Sequence, residues 1–210
     1  MADNKRETCE SAEELSYEER AGGKAPEDSG IGKTIIIING KGGSGKDAFV
    51  DAASACWRVW NVSSIDPVKE AARVLGWSGE KDDASRRFLS ELKEATTRYN
   101  DYTTRYLMDK AAGFMESGGN LLFLHVREPE NIKKLSNLLV ERGYNIKTLL
   151  VRRPETEGRE YGNASDDGVE AYQYDLEFSN DVELESLRGK VEKFIRRHVF
   201  ESRMPPRRGG

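Results

Sequence analysis

Ile38–Ala53 reads INGKGGSGKDAFVDAA, and this stretch decides the fold. Gly40 is followed by four residues and then by Gly45 and Lys46, with Gly42 and Gly43 between. An unbroken β-branched run, Ile35 to Ile38, enters it. Such a run is expected of a strand buried on both faces. A helical pattern leaves it. Strand, glycine-rich turn and helix in that order make an anion site. The glycines let the backbone turn closely around an anion. The loop amides and the helix N-terminus supply donors and partial positive charge. Lys46 is placed to reach outer phosphates. Phosphate contact is therefore expected over Gly40, Lys41, Gly42, Gly43, Ser44, Gly45, Lys46, Asp47 and Ala48. The bland alternative is a glycine-rich turn that binds nothing.

Asp47 departs from the usual pattern, in which a Ser or Thr hydroxyl at this position ligates Mg²⁺. A carboxylate is also a good hard-oxygen ligand, directly or through water. Asp47 is thus the candidate metal residue. Nucleotide affinity is expected to depend more steeply on Mg²⁺ than in a Ser/Thr loop. The alternative for Asp47 is an acidic residue favoured by the helix dipole.

The rest of the chain sets limits. It has 210 residues, 37% hydrophobic and 33% charged, which suits one soluble domain with a real core. The net charge of -4 gives no global pull toward nucleic acid or anionic lipid. No apolar run approaches the roughly 20 residues that span a bilayer, and no secretory signal is apparent at the N-terminus. Cys9 and Cys56 cannot form a disulfide framework or a four-ligand zinc site. Two free thiols favour a reducing, cytoplasmic setting. Residues 1–30 are polar and charged with Gly and Pro, and read as a tail, with a short helix around 12–20 as an option. Residues 201–210 read as a second tail.

Between the tails, helical and strand periods alternate. A helix is expected from Gly45 to about Val59, then a short strand at NVSS. Asp66 is expected to cap a helix with Pro67 in its first turn, running to about Leu75. Further helices are expected over 82–95 and around Tyr102 to Met115, the latter closed by Gly118-Gly119. NLLFLHV and IKTLLV read as buried strands, with a helix from Pro129 to about Arg142 between them. Residues 152–170 are polar and irregular. Tyr174, Leu176 and Phe178 alternate like a half-exposed strand. Asn180 or Asp181 is expected to cap a last helix with Leu184, Leu187, Val191, Phe194 and Ile195 on one face. Strands separated by helices imply right-handed crossovers and a mostly parallel sheet covered on both faces. Ligands in such sheets bind beyond the carboxyl ends of the strands.

GKGGSGKD resembles the phosphate loops of the deoxynucleoside monophosphate kinase family of phages and bacteria. The same Gly-Lys-Asp ending occurs in the related animal-type phosphomevalonate kinases. DPVKEAARVLGW, RRFLSELKEATTRYND, FLHVREPENIKKL and YQYDLEFSNDVELESL look like the first group, and together these blocks cover most of Thr34 to Val199. The resemblance implies a three-layer α/β/α P-loop nucleoside/nucleotide kinase fold over 31–200. It also implies ATP with Mg²⁺, small-molecule nucleotide substrates, and a lid at about 152–170. It leaves room for a homodimer.

Phosphoryl transfer needs cations around the migrating group more than covalent chemistry. Lys46 is the first. Lys69, after the second strand, is a candidate cation for the acceptor phosphate or the transition state. Arg86 and Arg87 are candidates for gripping the acceptor monophosphate bidentately, one of them pointing inward. Arg127 ends a buried strand, and Glu128 beside it could orient it or hold metal-bound water. Arg152 and Arg153, with Arg159 nearby, begin a segment too long for a simple turn and could close over ATP. Asn163, Asp166 and Asp167 could hinge or cap that segment. His125 reads as a satisfied core residue, and His198 as a helix C-terminal or solvated one. Trp57, Trp60 and Trp77 read as core or rim. Tyr99, Tyr102 and Tyr106 are read along one helix, where one could line a base pocket. Two further readings stay open: a kinase of another phosphorylated metabolite such as phosphomevalonate, and a non-catalytic ATP-binding regulatory protein.

Overall fold

The computed structural model describes residues 32–80, 82–156 and 168–201. The N-terminal tail with Cys9, nearly all of the C-terminal tail, and 157–167 with Arg159, Asn163, Asp166 and Asp167 lie outside the described residues.

The strands are β1 (Thr34–Asn39), β2 (Val59–Ser63), β3 (Leu121–His125), β4 (Ile146–Arg152) and β5 (Leu176–Ser179). They form one sheet in the order β2-β3-β1-β4-β5, and every pairing is parallel. The helices are α1 (Lys46–Ser54), α2 (Asp66–Val74), α3 (Asp83–Asn100), α4 (Tyr102–Glu116), α5 (Pro129–Glu141) and α6 (Leu184–Ile195). A π-helical turn, Arg196–Phe200, continues α6.

β1 is central, and all six of its residues are buried. Its side chains alternate between two cores, as strand geometry requires. Ile36 and Ile38 pack with Phe49 and Val50 of α1 and with Leu187 and Val191 of α6. Ile35 and Ile37 pack with Leu107 and Ala111 of α4 and with Ile132 and Leu135 of α5. The result is the expected three-layer α/β/α arrangement. No helix among the described residues is long and apolar enough to cross a membrane.

Several local expectations need correction. α1 ends at Ser54 rather than near Val59. The Cys56 and Trp57 amides both turn back to the Ala53 carbonyl, Trp57 is buried in the core, and Val59 is drawn into the sheet opposite Leu121. Asp66 is the first residue of α2 rather than its cap, and its carboxylate accepts the Ser63 amide at 2.6 Å. Tyr99, Tyr102 and Tyr106 do not share a helix. Asp101, with φ of 54°, breaks the chain between α3 and α4. The cap of α6 is Glu183, not Asn180 or Asp181, and Leu184 is 75% exposed rather than on the packed face. Tyr174 precedes β5 instead of lying within it.

α3 has no buried residue along its 18 positions. Phe88, Leu89 and Leu92 are half-buried, so the helix lies against the body as an arm. Its Lys93 reaches Glu128, beyond the end of β3, at 2.6 Å.

Candidate functional site

The glycine-rich loop leaves the carboxyl end of β1 and enters α1. Two of its glycines are required by close approach. A Cβ on Gly40 would lie 2.4 Å from the Val151 carbonyl and 2.5 Å from Ser44 Oγ. A Cβ on Gly45, where φ is +89°, would lie 2.1 Å from Asn180 Nδ2. The end of β4 and the segment after β5 therefore hold the loop in place. Asn180 is buried and donates from Nδ2 to the Ser44 carbonyl at 3.1 Å, while its own amide bonds the Arg152 carbonyl at 2.7 Å. Lys46 curls back so that Nζ donates to the carbonyls of Gly40 at 2.5 Å and Lys41 at 3.1 Å. Asp47 is exposed in the first turn of α1.

Asn39, the last residue of β1, is fully buried. Its Oδ1 accepts the Gly40 amide at 2.8 Å. Its Nδ2 donates to the Arg127 carbonyl at 2.9 Å and to Tyr174 Oη at 2.8 Å. Tyr174 in turn donates to the Val169 carbonyl at 3.0 Å. One side chain thus joins the loop entrance, the exit of β3 and the segment that leads into β5. Burial pushes the Tyr174 phenol up to about 12, so it keeps its proton.

His125 ends β3, in register with Ile38 of β1 and Ser63 of β2. It is hydrogen-bonded, as expected, through Nε2 to Asn61 Oδ1 at 2.7 Å. Because an amide oxygen only accepts, Nε2 carries the proton. Burial lowers its pKa to about 4; the Asp47 charge opposes this, and those of Lys46, Arg127 and Lys69 add to it. The ring is neutral near pH 7. The topology brings four charged residues to this edge. Lys46 and Asp47 come from the loop, Lys69 from α2 and Arg127 from the exit of β3.

The other candidates are placed differently. Arg86 and Arg87 are both exposed, and Arg86 pairs with Asp83 at 3.1 Å, so burial singles out neither. Glu128 is partnered by Lys93 of α3 and by Asn131 Nδ2 at 3.3 Å. Burial raises its pKa, but Lys93 and Asn131 outweigh this and hold it below the usual carboxylate value. Arg152 pairs with Glu170 at 2.9 Å and Glu177 at 3.2 Å, and Arg153 with Glu155 at 2.9 Å. Glu170 also faces Lys41 of the loop at 3.8 Å. Trp57 is core; Trp60 is half-buried against Phe114, and Trp77 is half-buried under Arg73. Tyr99 is 87% exposed. His198 stacks on Phe194. Asn39, Asn180, Lys93 and Glu170 were missed in the sequence. A polar residue ending the apolar run of β1 was the available signal for Asn39.

Among the described residues, no group of three or more His, Cys, Asp and Glu is placed to hold a metal. A metal carried by a nucleotide needs few protein ligands, because phosphates and water supply the rest. The exposed carboxylate of Asp47 at the loop mouth fits that demand. The amides of the loop and Lys46 are donors that suit a polyphosphate, and Lys69 and Arg127 lie beyond the same sheet edge.

No family model matches the chain, and no curated protein matches it. Solved structures do. The tunicamycin resistance protein of Deinococcus radiodurans is 14% identical, with a TM-score of 0.50, over 78% of this chain and 95% of that one. A sugar kinase from Janibacter sp. is 14% identical, with a TM-score of 0.42, over 78% and 92%. The Mycobacterium tuberculosis APS kinase in complex with AMPPNP and APS is 16% identical, with a TM-score of 0.38, over 78% and 97%. At 14% identity the first of these speaks to the fold alone. With the loop and the strand order, the fold is a three-layer α/β/α P-loop sandwich.

Proposed function

We propose that the chain transfers the γ-phosphoryl group of ATP to a nucleoside monophosphate, with a deoxynucleotide as the preferred acceptor. The observation that carries this reading is the common sheet edge: the glycine loop with Lys46 leaves β1 there, Lys69 stands in the first turn of α2 after β2, and Arg127 follows β3. Lys46 is assigned to the donor phosphates, and Lys69 and Arg127 to an acceptor phosphate. An acceptor phosphate oxygen attacks the γ-phosphorus, and the bond from that phosphorus to the β-bridging oxygen breaks, releasing ADP. A phosphate oxygen is already a nucleophile, so no general base is required. Lys46 and the loop amides stabilise charge on the migrating group. Lys69 and Arg127 orient the acceptor, and Arg152 and Arg153 close over the donor once drawn from their carboxylates. Mg²⁺, held by Asp47, would neutralise the phosphates.

The test is ADP release from ATP and Mg²⁺ with each common ribo- and deoxyribonucleoside monophosphate. Stimulation by one or a few acceptors supports the reading; none with any of them ends it. A second reading takes another phosphorylated metabolite, such as phosphomevalonate, as acceptor. Its phosphate would meet the same cations, so the choice of acceptor rests on the turnover panel. Phosphomevalonate therefore belongs in the same panel. ATP binding without turnover would point to a regulatory nucleotide-binding protein.

A further inference from the structure

In loops of this kind the metal is held by a hydroxyl after the lysine and by a carboxylate from a neighbouring strand. Here both positions have changed. The loop position is Asp47. The strand beside β1 on the α2 side is β3, and its last residue is His125. The carboxylate has moved to the loop, and the strand now offers an imidazole.

The geometry suits that role. Leu121, Phe123 and His125 alternate onto one face of β3. Leu121 and Phe123 lie in the core that α1 covers, together with Phe49 and Val50. His125 is therefore on the face beneath α1, whose first turn carries Asp47. The Asp47 charge acts on the ring against the effect of burial. The Asn61 contact fixes the proton on Nε2, which leaves the Nδ1 lone pair available. No hydrogen bond to Nδ1 occurs among the described residues. A ring nitrogen that gives its proton to an oxygen acceptor while the other keeps its lone pair is the usual state of a ligating histidine.

We propose that His125 Nδ1 is a nitrogen ligand, opposite the Asp47 carboxylate, for the metal that accompanies the nucleotide. The site then favours a metal that accepts nitrogen, Mn²⁺ before Mg²⁺. Imidazole suits transition metals, whereas Mg²⁺ prefers oxygen. Lys46, Lys69 and Arg127 repel a bare cation here, so the metal enters with the phosphates that it neutralises. The inference rests on reading the loop as a nucleotide site.

The test uses the full chain with ¹⁵N-labelled histidine, Mn²⁺ and β,γ-methylene ATP, read by pulsed electron paramagnetic resonance. The chain has two histidines, so assignment is direct. A ¹⁵N coupling to Mn²⁺ is expected, retained in His198→Gln and lost in His125→Gln. If the His125 variant fails to fold, the unmodified chain and His198→Gln still decide the matter. In parallel, the analogue should bind at least about tenfold tighter with Mn²⁺ than with Mg²⁺. Asn61→Leu, which releases the ring, should cut Mn²⁺-dependent affinity by about 10- to 100-fold and Mg²⁺-dependent affinity less. Mn²⁺ and analogue bound with no ¹⁵N coupling would overturn this inference and leave phosphoryl transfer standing. No binding with either metal would overturn both.

Discussion

Replacing Gly45 with Ala perturbs two things that can be separated. The residue has φ of +89°, and a Cβ there would sit 2.1 Å from Asn180 Nδ2 and 3.3 Å from its Cγ. Holding an L-residue in the left-handed region costs about 1–2 kcal/mol. The 2.1 Å approach forces the Asn180 amide away, breaking its bond to the buried Ser44 carbonyl. A buried acceptor left unpaired costs about 1–3 kcal/mol. Gly45→Ala should therefore destabilise the fold by about 2–5 kcal/mol. Asn180→Ala alone should cost about 1–3 kcal/mol, because it orphans the same carbonyl without touching Gly45. In that background Gly45→Ala should cost only the backbone strain of about 1–2 kcal/mol. The two losses overlap, so the double variant should be more stable than their sum by about 1–3 kcal/mol. Urea unfolding of all four proteins measures this, provided the denaturant slope is unchanged. Additive costs, within about 0.5 kcal/mol, would show that Asn180 does not brace the loop at Gly45.

Other expectations follow from single contacts. Lys46→Met removes the loop cation and should lower acceptor-dependent turnover by at least about 10²-fold, with weaker ATP binding in calorimetry. Asp47→Ser should make ATP affinity less steeply dependent on Mg²⁺; an unchanged dependence in titrations would dismiss Asp47 as a metal residue. The Lys93–Glu128 pair is partly buried, with side chains 16% and 28% exposed, so Lys93→Met should cost about 1–3 kcal/mol. Glu128 titrates below its unfolded value of 4.5, so this contribution is complete above that pH. It is lost as pH falls through the lower folded value. The gap between wild type and Lys93→Met in urea should thus close in acid, and a gap constant from pH 7 to pH 3 would remove the pairing as its source. Asn39→Ala and Tyr174→Phe share one hydrogen bond, so their urea ΔΔG values should couple by about 0.5–1.5 kcal/mol. Strict additivity would count against the Asn39 junction.

The legible parts of this protein are those whose cause is local. The isoleucines of β1 need burial on both faces, and their continuity announces it. The loop is readable because glycine spacing, Lys46 and the following helix are set within a few residues. The end of α1 was not, because Ala55, Cys56 and Trp57 suit a helix as well as the turn that carries Trp57 into the core. The single residue Asp101 splits what reads as a tyrosine-bearing helix, and only its positive φ reveals the break. Asn180 looks like a helix cap by its neighbours. Its actual partner, Ser44, is 136 residues away. Asn39 likewise meets Arg127 and Tyr174 only after the sheet has formed. The position of Lys69 and Arg127 beyond strand exits was legible, since parallel strands deliver their exits to one edge. The pairing of Glu128 with Lys93 was hidden, because nothing local shows where α3 crosses that edge.

The most direct test of the account follows the γ-phosphate itself. ATP labelled at that phosphorus would be incubated with the full chain, Mg²⁺ and a mixture of ribo- and deoxyribonucleoside monophosphates, with Lys46→Met as the control. The account predicts label in a nucleoside diphosphate, and none with the variant. Label that stays in ATP, or appears only as inorganic phosphate, would contradict it.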